Sequence, residues 1–133
     1  MDKPVLVEAD LKAGETLLRD LDQQHLDVTA ALWLYSSDSN EWRLVIASPL
    51  YDAQGPMAAY RTVQPLVESL KNRFDIALQN ISMVSPSNPL IRLLGAAIQT
   101  GPEISHIRVS RNTINNQYIE DAYIYRLPQA TNN

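Results

Sequence analysis

The chain contains no cysteine and only two histidines, His25 and His106, among its 133 residues. Without a thiol, it cannot form disulfide bonds, use a cysteine nucleophile or build a zinc site on thiolates. The two histidines lack the spacing of a metal-binding motif, and no glycine-flanked serine motif is present. We therefore expect a fold held by its hydrophobic core, with no metal site and no cofactor.

Long apolar runs are also missing. No run approaches the roughly 18 residues of a membrane span, and the apolar patch Val5–Val7 is interrupted by Glu8 too soon for a secretory signal. We expect a soluble, cytoplasmic protein with no membrane contact. The length fits one domain, predicted to span residues 1–127 and to be followed by a loose tail at 128–133.

Positive charge is scarce, since 11 basic residues face 15 acidic ones and the net charge is −4. Because neutralisation of phosphates by Lys and Arg dominates nucleic-acid binding, this balance makes nucleic acid an unlikely partner. The acidic residues concentrate in residues 1–41, which reads mainly as a solvated helix face. Nucleic-acid contact remains a third and weakest option, through Arg43, Arg108, Arg111 and Arg126.

Hydrophobic periodicity predicts an α+β (α/β-like) fold, a single mixed five-stranded sheet with three helices in the order α-β-β-α-β-α-β-β. The helices are expected at about 7–25, from Pro56 onward with Pro65 inside, and from Pro89 to a stop at Gly101-Pro102. Right-handed crossovers could make strands two, three and four parallel, with strands one and five antiparallel to their hairpin partners.

The most informative stretch is the last predicted hairpin, residues 104–127. Asn115-Asn116 supplies its turn, since Asn tolerates positive φ and two-residue hairpin turns require it. The resulting register gives a core face that pairs Ile107 with Ile124, Val109 with Ala122 and Arg111 with Glu120. The other face is polar and aromatic, and it pairs His106 with Tyr125, Arg108 with Tyr123 and Ser110 with Asp121.

The first predicted hairpin, from Val28 to Ser48, carries similar residues. A turn of three or five residues places Tyr35 opposite Arg43 and Trp33 opposite Val45. If both hairpins present these groups on one side, the sheet has an aromatic and arginine-bearing face, which is the composition of interface hot spots. The alternative is that Trp33 simply lies under a helix.

A second candidate site lies at two strand-to-helix turns, Gly55-Pro56 and Asn88-Pro89. If strands two and three are parallel, both turns fall at the carboxyl edge of the sheet, where free helix N–H groups favour anions. Ordinary helix capping explains the same residues without a ligand, and neither loop has the glycines of a phosphate-binding motif. The residues of this crevice would be Ser48, Asp52, Gly55, Ser85, Ser87 and Asn88.

The leading hypothesis is a non-enzymatic protein-interaction module that self-associates, as a homodimer, or binds another protein. Its binding residues would be Trp33, Tyr35, Arg43, His106, Arg108, Ser110, Asp121, Tyr123 and Tyr125. The alternative is a small enzyme or anion-binding domain that uses the crevice near Asp52 and Asn88, with His106 as acid–base group. The sequence names no catalytic residue.

Overall fold

The structure is a computed structural model that describes residues 3–128. Within these residues the chain forms four helices and five strands, with one 3₁₀ turn at Leu78–Asn80. The elements are α1 (Glu8–Gln23), β1 (Ala30–Ser36), β2 (Glu41–Ala47), α2 (Pro49–Gln54), α3 (Pro56–Leu70), β3 (Ile81–Val84), α4 (Pro89–Ala97), β4 (Ile107–Ile114) and β5 (Gln117–Arg126).

All five strands belong to one mixed sheet in the order β3-β2-β1-β5-β4, which confirms the predicted fold class. Helices α1 and α3 pack on one face of this sheet, called the α1/α3 face, and α4 packs on the other, called the α4 face. Each face buries its own apolar cluster, because the central strands are apolar on both sides. The result is three layers, with helices outside the sheet.

The register predicted for the last hairpin is confirmed. Ile107 faces Ile124, Val109 faces Ala122, and Arg108 faces Tyr123 on the opposite side. Asn115 and Asn116 form the turn with φ values of 48° and 68°, as a two-residue turn of this kind requires. The four apolar residues belong to the α4-face cluster, where Ile107 is only partly buried.

One pair of that prediction is wrong, because Arg111 and Glu120 do not pair in the ladder. Arg111 has a left-handed φ of 49°, which interrupts β4 at this point. Regular alternation would place Ile119 and Ala122 on opposite faces of β5. Because the alternation is broken near Arg111, both side chains lie in the cluster under α4.

The predicted strand directions are right for one crossover and wrong for the other. Strands β2 and β3 are parallel, as expected for a helical crossover. Strand β4 instead pairs only with β5, antiparallel, at the far edge of the sheet. Since β5 is also antiparallel to β1, β4 runs opposite to β2 and β3.

The register predicted for the first hairpin is wrong by one residue. The turn has four residues, 37–40, and Tyr35 faces Trp42 while Trp33 faces Leu44. A four-residue turn puts the aromatic side chains together on the α1/α3 face, where they join the core. Arg43 faces Leu34 and therefore lies on the α4 face, away from Tyr35.

Several predicted helix boundaries also shift. Pro49 starts the short helix α2, where the sequence predicted a loop, because the Ser48 hydroxyl accepts a hydrogen bond from Leu50 N–H and caps it. Helix α4 ends at Ala97, before the predicted stop at Gly101-Pro102, since Ile98 is already extended. The third strand is shorter than the predicted 76–84, because a 3₁₀ turn precedes it.

The predicted tail lies outside the described residues except for Pro128. The Pro128 carbonyl oxygen lies 2.9 Å from the position that a Cβ on Gly95 would take, so Pro128 packs closely against α4. For the rest of the tail, the loose segment indicated by the sequence stays a prediction.

Close contact between α1 and the sheet occurs at Gly14. The Tyr125 hydroxyl donates to the Leu11 carbonyl oxygen of α1 at 2.5 Å and accepts from Trp33 Nε1 at 3.2 Å. A Cβ on Gly14 would lie 2.6 Å from that hydroxyl oxygen and 2.8 Å from Trp33 Nε1. Gly14 has a low helix propensity, but its lack of a side chain allows α1 to pack closely on the sheet.

Replacing Gly14 with Ala should destabilise the fold, although Ala favours helix formation. The added methyl group clashes with two buried side chains whose positions are fixed by hydrogen bonds, and overpacking of this kind typically costs about 1–3 kcal/mol. Urea denaturation should report the loss in the free energy of unfolding. Gly101→Ala is the matched control, since among residues 3–128, its two chain neighbours aside, no heavy atom lies within 4 Å of its Cβ position. Equal stability of the two variants would contradict this account of α1 packing.

Candidate functional site

The polar face predicted for the last hairpin exists, and it belongs to the α1/α3 face. Tyr123 of β5 pairs with Trp33 of β1, so the two hairpins do present their aromatic residues on one side of the sheet. The helices cover most of that side. Trp33, Tyr35 and Tyr125 are buried in the cluster under α1 and α3, and only the part along β4 stays open.

In this open part, exposed side chains converge on the buried carboxylate of Asp121. Arg108 donates two hydrogen bonds to it, at 2.6 and 2.7 Å, and Ser110 donates a third at 2.9 Å. Lys3 donates a fourth at 2.6 Å, although it is 118 residues away in sequence. The residue is 4% exposed, so two cations and a hydroxyl replace the water that the carboxylate loses.

These contacts determine the charge state of Asp121. Burial alone would raise the pKa of its carboxyl group, but the hydrogen bonds from Arg108, Lys3 and Ser110 outweigh burial and hold that pKa well below its usual range. The hydrogen bonding between Arg108 and Asp121 also raises the pKa of Arg108. Asp121 is thus a charged anchor near neutral pH, where it is unsuited to accept a proton.

His106 belongs to a separate group. Its Nδ1 lies 3.0 Å from the Tyr123 hydroxyl and its Nε2 lies 3.3 Å from a carboxylate oxygen of Glu15 on α1. Its ring also meets Tyr125 edge-on, at 6.4 Å between centroids, which fits the predicted neighbourhood. Burial raises the pKa of Tyr123, which keeps its hydroxyl protonated and weakens it as a nucleophile.

Proton transfer on this face would need His106, Ser110 and Asp121 to come together, and the structure does not bring them together. His106 contacts Glu15 and Tyr123, whereas Ser110 contacts Asp121. A serine nucleophile needs a base that can take its proton, and the Ser110 hydroxyl instead donates to a carboxylate with a strongly lowered pKa. The geometry favours structural anchoring over proton transfer.

Arg43 and Arg108, two of the four arginines proposed for nucleic-acid contact, lie on opposite faces of the sheet. Arg43 bonds to the Ser82 hydroxyl at 2.6 Å on the α4 face, while Arg108 belongs to the other face. Arg126 is 9% exposed and pairs with Asp22 at 2.9 and 3.0 Å beside a groove of about 540 Å³. Each of these three guanidinium groups is already ion-paired with a carboxylate.

At the second predicted site, the strand-to-helix turns, the polar side chains cap the helices or hydrogen-bond to one another. Asn88 Oδ1 accepts from Leu90 and Ile91 N–H at the start of α4, and buried Ser48 caps α2 as described above. The Ser85 hydroxyl lies 2.8 Å from both Asp52 and Ser87. Gly55 does not follow β2 directly, since α2 lies between them. It connects α2 to α3, and its φ is 91°.

The two edges of the sheet differ sharply. The edge strand β3 has four residues, its Met83 N–H donates to the Tyr60 hydroxyl of α3 at 3.1 Å, and its Ile81 carbonyl accepts from Arg43. The edge strand β4 has eight residues with mostly exposed side chains. Within residues 3–128, only β5 is recorded as hydrogen-bonding to the β4 backbone.

Sequence reasoning missed three residues of this region. Lys3 lies in a segment without periodicity, so no pattern could connect it with Asp121. Trp42 follows from the register of the first hairpin, and a four-residue turn would have placed it beside Tyr35. Glu15 lies on the polar side of the predicted first helix, but the helix orientation decides which strand it reaches.

Comparison with models of protein families, with curated proteins and with solved structures finds no match, so function is inferred from the residues described above. No helix within residues 3–128 has both the length and the apolar character to cross a membrane. Nor does this part of the chain bring together three or more His, Asp or Glu side chains in an arrangement that could hold a metal ion.

Replacing Asp121 with Asn should lower the free energy of unfolding at pH 6 by about 1–3 kcal/mol, since the amide removes the negative charge and one of the two acceptor oxygens that Arg108 and Lys3 use. The folded pKa of Asp121 lies below the unfolded value of about 3.9. Its contribution is therefore complete above about pH 4 and is lost as pH falls toward the folded pKa. The difference between wild type and variant should shrink from pH 6 to pH 2 in urea denaturation.

The control for this experiment is Asp38→Asn, which removes an exposed carboxylate from the turn of the first hairpin. Its effect on stability should be small at every pH. A difference between wild type and Asp121→Asn that stays constant down to pH 2 would show that the carboxylate charge does not stabilise the fold.

Proposed function

We propose that the protein is a non-enzymatic interaction module that self-associates by pairing the outer edge of β4 with the same edge of a second copy. The observation that carries the proposal is the open β4 edge, with its eight residues and mostly exposed side chains. An edge strand presents a row of N–H and C=O groups that can pair with another chain, and natural proteins usually block such rows. Here β3 is blocked by side chains of α3 and β2, which makes the exposure of β4 more informative.

The usable part of the edge is Ile107–Ser110. Arg111 interrupts the strand with its positive φ, and such an interruption limits continuous pairing. A two-fold axis at Val109 sets Arg108 opposite Ser110 of the partner subunit, and the reverse. This register keeps the two Arg108 side chains from facing each other directly and brings the two Val109 side chains together on the α4 face.

Local charges are compatible with this contact. Arg108 is ion-paired with Asp121 at 2.6 Å, which reduces the repulsion between two approaching copies. Ile107 and Val109 pack against the apolar cluster under α4, so pairing of the edges would extend that cluster into the partner. The module is proposed as non-enzymatic because the Ser110 hydroxyl donates to Asp121 while His106 contacts Glu15 and Tyr123, so Ser110 is not paired with His106 as a base. A cytoplasmic location remains a prediction from the sequence.

Light scattering coupled to size exclusion tests the proposal. At about 100 μM, a concentration that reveals dissociation constants weaker than micromolar, the wild type should elute with twice the monomer mass. Ser110→Lys should elute as a monomer, because the new cation lies opposite Arg108 of the partner subunit in the proposed register. Ser110 is exposed, so the fold should survive.

Ser69→Lys is the matched control, with the same substitution at an exposed position of α3. It should keep the mass of the wild type. A monomeric wild type at this concentration would refute self-association, and a dimeric Ser110→Lys variant would refute the β4 edge as the contact.

A further inference from the structure

We infer that Tyr35, Trp42 and Asp121 form a cation-binding site that Lys3 of the same chain occupies, and that an alkylammonium group such as a lysine side chain of another polypeptide can take its place. Lys3 Nζ lies 4.8 Å from the centre of the Tyr35 ring and 5.5 Å from that of Trp42. The same nitrogen donates to Asp121 at 2.6 Å. Two aromatic rings with a carboxylate are the chemistry that recognises ammonium groups.

The site is built by the sheet and does not depend on Lys3 for its shape. Tyr35 and Trp42 are opposite each other on β1 and β2, with ring centres 5.6 Å apart and planes inclined by 59°. Both residues belong to the core cluster, and the Tyr35 hydroxyl is held by Asn40. Asp121 is fixed by Arg108 and Ser110 from β4. Both rings and the carboxylate therefore keep their positions when the ammonium leaves.

Lys3 can leave at low cost. Its side chain is 38% exposed, and Val5 of the same N-terminal segment is 77% exposed. When Lys3 departs, Asp121 keeps both hydrogen bonds from Arg108 and the one from Ser110, so no buried carboxylate is left unpaired. The segment stays attached by the hydrogen bond from Trp42 Nε1 to the Pro4 carbonyl and by the burial of Leu6, and Val7 joins it to the start of α1.

The ligand class follows from the present occupant. Lys3 places a compact primary ammonium on an unbranched alkyl stem beside two rings, and the ammonium donates to one carboxylate oxygen. A guanidinium is already present, since Arg108 lies 5.6 Å from the Trp42 ring centre. The vacated space therefore fits a second, smaller cation on a narrow stem, which describes a lysine side chain.

The experiment uses n-butylammonium chloride as probe and the indole N–H resonance of Trp42 as readout, assigned with Trp42→Phe. Lys3→Ala opens the site and should bind the probe with a saturable shift of this resonance. In the wild type Lys3 competes from within the chain, where tethering gives it an effective concentration on the order of millimolar or more. The dissociation constant of the probe should therefore be about tenfold lower for Lys3→Ala than for the wild type. The Trp33 resonance should not move.

Three controls separate the site from general charge effects. Lys12→Ala removes one positive charge from the exposed side of α1 and should behave as wild type. Lys3→Arg keeps a cation in the site and should also resist the probe. n-Butanol carries the same stem without the charge and should give no saturable shift with Lys3→Ala.

Circular dichroism verifies that Lys3→Ala is folded, and Lys3→Gln, which keeps most of the stem, replaces it if it is not. Equal dissociation constants for the opened variant and Lys12→Ala would overturn the proposal, as would a response of Trp33 without one of Trp42. Light scattering on the same samples reports self-association separately, so the failure of one proposal is not read as the failure of the other.

Discussion

Helix α1 can lie against the sheet only because residue 14 has no side chain. The Tyr125 hydroxyl occupies the space beneath it and joins three elements, through its bonds to the Leu11 carbonyl and to Trp33 Nε1. Because this hydroxyl is buried and both of its partners are polar, each bond prevents an unsatisfied group in the core. The contact fixes where α1 crosses the sheet, and the position of α1 decides which polar side chains remain accessible.

The border of that coverage can be followed along the last hairpin. Tyr125 lies fully under α1, Tyr123 is half-buried, and His106 is exposed but still reaches Glu15 of α1. Strand β4 lies one strand further out, so Arg108 and Ser110 stay open. A polar face that looks uniform in the sequence is thus divided into a buried half, which supports the fold, and an exposed half, which is available to a partner.

Local turn chemistry explains how much of this arrangement the sequence could predict. The two asparagines at 115 and 116 fix a two-residue turn, and the register of the last hairpin follows from it. Residues 37–40 contain no comparable signal. The predicted turn of three or five residues therefore placed Arg43 beside Tyr35, whereas the four-residue turn places it on the α4 face. Alternation shows which residues share a face of a strand, but it cannot show which face a helix covers. The sequence therefore left two alternatives for Trp33, of which burial under a helix is confirmed, and it held no signal for the left-handed Arg111 or for the return of Lys3 to Asp121.

Asp121 contributes to both proposed surfaces, so the charge around it determines whether they influence each other. Two cations and one anion meet there, which leaves the cluster with an excess positive charge close to the β4 edge. Exchange of Lys3 for another ammonium conserves that excess, so ligand binding by itself should not change the repulsion between two approaching edges. Removal of the Lys3 charge without replacement does lower the repulsion, and salt screens the difference over about 8–10 Å. Coupling between the cation site and self-association therefore has to come from the displaced N-terminal segment, through its contacts at Pro4 and Leu6, and not from electrostatics.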